Sequence, residues 1–432
     1  MKSSFQTILL IVFGVVFVGA VVVFSGLISF GSKTADTSKP TGTVTLWGIA
    51  PQTEMQSYID TLLVGNNDYS IRYTEHPPAN LQQDLIVALA NGNPPDLILF
   101  SSELFSQFKE KLYTVPYTAY PERTYRDTNI DGAQIFLSKA GIAGFPLVVD
   151  PLVVYYNKDV LAKSNFVFPP KTWTELKLSI PLLTTRDARN RIVQSAIALG
   201  TATNVAHARD ILSALFLQTG NSIIAYNGLT DMNSVVLGAL PAGSSVAPAA
   251  QALEFYTSFS NPTNSNYSWN ISLPDSLAQF IAGKSAFYIG RASELFTIQA
   301  QNPNLNFDVT QLFQTGADVR PATFGSFLAV GMTKNAPNPT AAYAAMNLMS
   351  SATGVDALSK TLSLAPVRRD LLLVRQDNPY VSVFFNAALS AFSWPDPDPV
   401  ATNQIFRTMI TDVTSGASSP STAITEAVKS LQ

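Results

Sequence analysis

From residue 43 to residue 100 the chain alternates strand and helix signals, and that alternation restricts its fold more than any other feature. TVTLWGI (43–49) carries β-branched and aromatic residues at strand spacing, and TEMQSYIDTLLV (53–64) follows with apolar residues three and four apart. YSIRYTEH (69–76) reads as a second strand. NLQQDLIVALANG (80–92) is predicted as a helix, with Leu81, Leu85, Ile86 and Leu89 on one face and Gly92 at its C-terminal cap. Pro94 and Pro95 stop that helix and turn the chain into a third strand, DLILF (96–100). Strand, helix, strand, helix, strand implies a parallel sheet covered by helices, an α/β fold. Ligands of such sheets bind beyond the carboxyl ends of the strands. The third strand delivers Phe100, Ser102 and Glu103 to that edge.

The length of 432 residues calls for two or three packed units. Charged residues are only 13% and the formal net charge is -3, so nothing advertises a nucleic-acid partner. The absence of cysteine removes disulfides, thiolate metal sites and a lipid on an N-terminal cysteine. Two histidines, His76 and His207, leave little material for a zinc site or a histidine-based triad.

Residues 8–30, ILLIVFGVVFVGAVVVFSGLISF, carry no charge and are long enough for a hydrocarbon core of roughly 30 Å. They read as a single membrane anchor, in preference to a cleaved signal peptide, whose apolar region is about 7 to 15 residues. Residues 31–41, GSKTADTSKPT, read as a tether. The large part beyond it is expected outside the cytoplasmic membrane, because long domains translocate with little regard for charge.

Several segments taken in order resemble a known family. ALANGNPPDLILFSSELFSQF (88–108), GFPLVVDPLVVYYNKDVL (144–161), PPKTWTEL (169–176), FIAGKSAFYIG (280–290) and DVTSGASSPSTAITEAVKSL (412–431) are similar to the extracellular solute-binding proteins of ABC importers, the family that includes maltose-binding protein. The resemblance covers nearly everything after the tether, and the order of the motifs carries it. It implies a two-lobed fold of the type II periplasmic-binding class with a hinge, in which a ligand closes the lobes. By this analogy one lobe holds residues 42–150 and 310–366, the other 151–309 and 367–432. Asp150–Pro151 and residues 307–310 are the expected hinge segments. The implied function is capture of a small solute, foremost a sugar or oligosaccharide, by a monomer that delivers it to ABC permease subunits. No cofactor, metal or catalytic group is implied. A sensory or surface-interaction module of the same fold, and an extracytoplasmic carbohydrate-active enzyme, are the alternatives.

A sugar offers apolar faces that stack on aromatic rings and hydroxyl edges that need carboxylates, amides and arginine. Residues of both kinds at strand ends are therefore the candidates: Trp47 with Glu54, Phe100 with Ser102 and Glu103, Asp150 with Tyr155, then Arg291, Phe324 and Trp394. Trp173 and Trp269 are expected to be packing or surface aromatics. Ser293 stands where many members of the family have tryptophan.

Other motifs are weaker. GKS (283–285) lacks the earlier glycine of a phosphate-binding loop, since Ala278 stands there. DTNIDG (127–132) matches the first half of a calcium loop, but Ser138 occupies the place of the bidentate glutamate and an ordinary turn is the expectation. Asp396 and Asp398 in FSWPDPDP are expected in a solvated, extended loop. Asn266 and Asn270 form glycosylation sequons.

Overall fold

The computed structural model describes residues 39–227, 232–316 and 320–432. The expected membrane span at 8–30 and all but the end of the expected tether lie outside them. Among the described residues no helix is long and apolar enough to cross a membrane.

The predicted alternation forms as strands β1 (Gly42–Gly48), β2 (Tyr69–Glu75) and β3 (Leu97–Ser101) with helices α1 (Gln52–Leu62) and α2 (Pro78–Ala90) between them. β1 lies parallel to both β2 and β3. Pro78 opens α2, where a missing N–H costs nothing, and Gly92, at φ +72°, ends it in the left-handed conformation that favours glycine. Leu81, Leu85 and Ala88 form its buried stripe. Ile86, expected on that face, is exposed, because one residue past Leu85 turns the side chain about 100° around the helix.

The remaining elements that position the site are β4 (Phe145–Asn157), β5 (Ile192–Ile197), α3 (Ala208–Gln218), β6 (Ser285–Arg291), α4 (Leu295–Gln301), β7 (Phe307–Gln311), β8 (Thr323–Met332), α5 (Pro379–Ala388) and α6 (Pro399–Thr414). The large sheet runs β2-β1-β3-β8-β4-β6-β5, with Thr185–Arg186 at its edge. β4 changes partners halfway. Its first half runs antiparallel to β8, with Asp150 opposite Ser326 and Pro151 opposite Gly325. Its second half runs antiparallel to β6, with Leu152 opposite Arg291, and to β7 on the other edge. β7, which holds the expected second hinge segment, pairs along its whole length with this second half.

The hydrophobic core is divided at the same place. One cluster gathers β1, β2, β3, Phe145, Val148 and Val149 of β4, Phe327 to Met332 of β8, and Ala388 with Ala391. A second gathers Leu152 and Val154 of β4 with α3, Leu312, Phe313, Phe324, Trp394 and the C-terminal helices. A small third cluster, around Tyr155, Tyr288, Phe307 and Phe384, packs Val153 of β4 against α5. The chain therefore passes between the first and second clusters three times, between Val149 and Leu152, between Phe324 and Phe327, and between Ala391 and Trp394. Gly325 lies where all three passages meet. A Cβ there would come 2.8 Å from both Val149 Cγ2 and Ala391 Cβ, so only glycine allows this approach.

Candidate ligand-binding site

Register places the polar side chains of the crossing strands together. Asp150 and Leu152 are two apart on β4, with Ser326 opposite the first and Arg291 opposite the second. Glu103 reaches the same point from the turn that follows β3. Its carboxylate accepts hydrogen bonds from Ser326 Oγ at 2.9 Å and Ser102 Oγ at 3.2 Å and faces Arg291 Nη2 at 3.5 Å. Ser102 is fully buried and its Oγ accepts from the Phe327 N–H at 3.1 Å, which fixes the turn against β8. Asp150 accepts from the Ser293 N–H at 3.0 Å and from Ser293 Oγ at 2.6 Å. Burial pushes its carboxyl above the usual range, against the pull of Arg291 and the Ser293 hydrogen bonds.

From Arg291 the network continues into α3. Arg291 Nη2 donates to Asp210 Oδ2 at 2.7 Å. His207, just before the helix, holds a left-handed backbone (φ 58°), which a side chain with a Cβ adopts at a cost. That conformation sets its ring between two carboxylates, with Nε2 2.9 Å from Glu294 Oε1 and Nδ1 3.7 Å from Asp210 Oδ2. Burial opposes a charge on His207, but the hydrogen bonds and charges of Asp210 and Glu294 outweigh it and push the ring up to about 9. Burial likewise works against ionised Asp210 and Glu294. Arg291 and His207 hold Asp210 well below the usual carboxylate range, and His207 lowers Glu294. Glu294 also accepts from Tyr288 OH at 2.8 Å and from the Arg291 N–H at 3.0 Å.

A second buried pair stands beside this network. Arg209 is paired with Asp396, whose other oxygen accepts from Thr402 Oγ1 at 2.7 Å, and its guanidinium lies 5.3 Å from the centre of the Trp394 ring. Asp396 is thus not part of a solvated loop. It is fully buried, because Arg209 compensates its charge, while exposed Asp398 caps α6 through the Val400 and Ala401 N–H groups. Between the two networks opens a cavity of about 420 Å³ lined by Glu103, His207, Arg209, Asp210, Arg291 and Arg407, among others.

The structure brings together Ser102, Glu103, Asp150 and Arg291 of the expected residues. Trp47 is half-buried at the end of β1 against His76, ring centres 4.3 Å apart, and Glu54 is exposed on the first turn of α1. The other aromatic rings are core residues. Phe100 is fully buried among Phe105, Phe108 and Phe136, and Phe324 is buried in the second cluster. Tyr155 is fully buried, and its OH donates to the Arg291 carbonyl at 2.7 Å. Trp394 is 3% exposed and stacks on Phe406. These four therefore offer no open face to a sugar ring. For Phe100, Tyr155 and Phe324 the reason is that β3, β4 and β8 are covered on both faces, so alternation along the strand puts no ring in solvent, whereas Trp394 lies beyond the strands and is covered by Phe406 and Arg209. Trp173 and Trp269 are buried.

His207, Asp210, Glu294 and Arg209 escaped the sequence reading. The signal for Asp210 was a lone carboxylate in the otherwise apolar ILSALFL helix, a charge that must find a buried partner. The acidic residues of DTNIDG do not converge: Asp127 pairs with Arg123, and Asp131 pairs with Arg369 and Arg320. Asn266 of the first sequon is buried and donates to Ser258 Oγ at 2.6 Å, so in the folded chain it is no glycosylation acceptor.

A sheet shared by two cores, crossed three times by the chain and lined with hydrogen-bonding groups at the crossing, defines a two-lobed solute-binding protein. The chain matches the family of bacterial extracellular solute-binding proteins over residues 58–381 and belongs to it. The family is one of binding proteins, and the globular part is accordingly extracytoplasmic. Among solved structures the chain is similar to a cyclo/maltodextrin-binding protein complexed with maltotetraose, at 15% identity and a TM-score of 0.71 over 93% of this chain and 98% of that one. It is also similar to the cyclic alpha-maltosyl-1,6-maltose binding protein from Arthrobacter globiformis, at 17% identity and a TM-score of 0.73 over 90% and 97%. The GacH receptor of Streptomyces glaucescens matches at 18% identity and a TM-score of 0.67 over 90% and 98%. At these identities the likeness is one of fold.

Proposed function

We propose that this chain is the extracytoplasmic receptor of an ABC importer, which captures a saccharide between its lobes and hands it to the permease. The observation that carries this reading is the polar network at the lobe crossing, where Glu103 of one core and Arg291 and Asp210 beside the other lie within hydrogen-bonding reach. Such a site can sense a ligand and the separation of the lobes at once. The saccharide-binding relatives of the same fold support the choice of ligand class. One lobe holds residues 42–150 and the other begins at 151; the core clusters favour a return to the first lobe near 325 and a last crossing near 392. Glu103, Asp150 and Arg291 contact the solute in this reading, buried Ser102 holds Glu103 from behind, and Trp47 is the expected aromatic left with an accessible face. Residues 8–30 anchor the receptor in the cytoplasmic membrane.

The test is the melting temperature of the purified full-length protein against mono- and oligosaccharides, polyols and peptides. A ligand at a hundredfold its dissociation constant stabilises by about 2.7 kcal/mol, which a melt resolves. A selective rise with saccharides supports the reading. A rise only with peptides, or with none of the panel, sinks it in favour of a surface-interaction module.

A further inference from the structure

The two lobes also touch away from the crossing strands. A two-stranded antiparallel hairpin, Ile224–Asn227 with Met232–Val235, stands apart from the large sheet. Ile223, Ile224 and Leu237 root it in the second core. Tyr226, two residues beyond Ile224, shares its face of the strand. There the hairpin leaves the second core and meets the first lobe. The Lys139 N–H donates to the Tyr226 hydroxyl at 2.9 Å, and the Lys109 ammonium lies 5.4 Å from the centre of the Tyr226 ring.

Both partners are held by the first core. Lys139 follows Phe136 and Leu137 of that core, in a turn that the Ser138 N–H closes onto the Gly141 carbonyl at 2.8 Å. Tyr117 OH donates to the Ser138 carbonyl at 2.7 Å and fixes the same turn. Lys109 belongs to the helical stretch 102–111, which begins with Glu103 and is pinned by buried Phe105 and Phe108. One stretch of the first lobe thus meets the second at two points, Glu103 against Arg291 and Lys109 against Tyr226.

We infer that Tyr226 is a positioning residue, a strap that holds the second lobe on the first and sets the balance between closed and open arrangements of the cleft. The three passages near Gly325 are covalent and persist whatever the lobes do, so the contacts off the crossing are those that opening breaks. Tyr226 is 38% exposed, and its contacts are one neutral hydrogen bond and one cation–π contact, both modest. They bias the lobes without locking them. On opening, water takes over the Lys139 N–H, the Lys109 ammonium and the tyrosine hydroxyl, so release orphans no polar group. Because Glu103 rides on the stretch that receives the strap, closing the strap and engaging the solute are one movement.

The chain has no cysteine, so one spin label can be placed on each lobe without removing a native thiol. Asp60→Cys on α1 and Lys177→Cys on the helix Trp173–Leu183 are exposed positions for them. Double electron–electron resonance on the full-length, unliganded protein reads the distance between the labels. Tyr226→Ala is expected to shift the ratio of closed to open populations about tenfold toward open, the combined size of the two contacts. Tyr226→Phe keeps the ring and loses the hydroxyl, Lys109→Gln keeps the hydroxyl contact and loses the cation, and each should give part of that factor. Melting temperatures should stay within a few degrees of the parent, since Tyr226 lies outside both cores. Identical distance distributions in the parent and Tyr226→Ala overturn the inference, and so does a lowered melting temperature with unchanged distances, the sign of a purely local role. No solute enters the experiment, so either result leaves the saccharide receptor standing.

Discussion

Asp210 Oδ2 accepts a hydrogen bond from Arg291 Nη2 at 2.7 Å, which ties the first turn of α3 to the end of β6. Both side chains are largely withdrawn from water, at 10% and 25% exposure. Removing one partner of such a pair leaves an uncompensated charge. Arg291→Ala is therefore expected to cost about 3 kcal/mol, read as a fall in the urea midpoint. Glu103→Gln should cost under about 1 kcal/mol, since Arg291 keeps Asp210 and the amide oxygen still accepts from Ser326. Equal losses in the two variants would show that the Glu103 contact, not the Asp210 contact, carries the network.

His207 gives the protein an alkaline limit. Its ring is pushed up to about 9 in the fold, against about 6.5 in an unfolded chain. Because the folded value is the higher, the stabilisation from the protonated ring is complete below about pH 6.5 and is lost as pH rises through about 9. Asp210 and Glu294, held below the usual range, remain ionised through that window. Stability should fall on the order of 3 kcal/mol between about pH 6 and pH 9.5. His207→Gln should flatten that slope; a slope unchanged in the variant would assign it to another group.

How far the sequence carries can be seen from particular residues. Leu81, Leu85 and Gly92 disclose the second helix and its end because a 3.6-residue stripe and a left-handed cap are local facts. Glu103, Asp150 and Arg291 could be named because each follows or interrupts an apolar strand. Phe100, Tyr155 and Phe324 looked the same in the sequence, yet which side of a doubly covered strand meets the cleft depends on elements far along the chain. The pairing of Arg209 with Asp396 is a contact of that long-range kind, with no local spacing to announce it.

Gly325 should act as the tight spot of the hinge. Its missing side chain lets Val149 and Ala391, from the two other passages, approach within contact. Gly325→Ala forces these segments apart and is expected to cost about 1–3 kcal/mol as overpacking. Because the strain falls on the crossing and not on either core, small-angle scattering should show a changed radius of gyration for the unliganded variant. A variant as stable as the parent, with the same radius, would mean that the crossing absorbs a methyl freely.

Trp394 separates packing from hydrogen bonding most cleanly. Its ring stacks on Phe406 with centres 6.2 Å apart and planes 12° from parallel, and Arg209 covers it, while its N–H is buried without a partner among the described residues. Trp394→Ala opens a cavity in the second core and should cost about 3–5 kcal/mol. A loss of ligand binding in that variant would say nothing about a stacking role. Trp394→Phe keeps an aromatic ring on Phe406 and deletes the orphan donor. The donor's penalty, on the order of 1–3 kcal/mol, then offsets part of the lost ring volume, and the unliganded protein should melt within a few degrees of the parent. If the N–H serves a ligand, affinity falls in Trp394→Phe while stability holds. If affinity is also unchanged, the indole is there for packing alone.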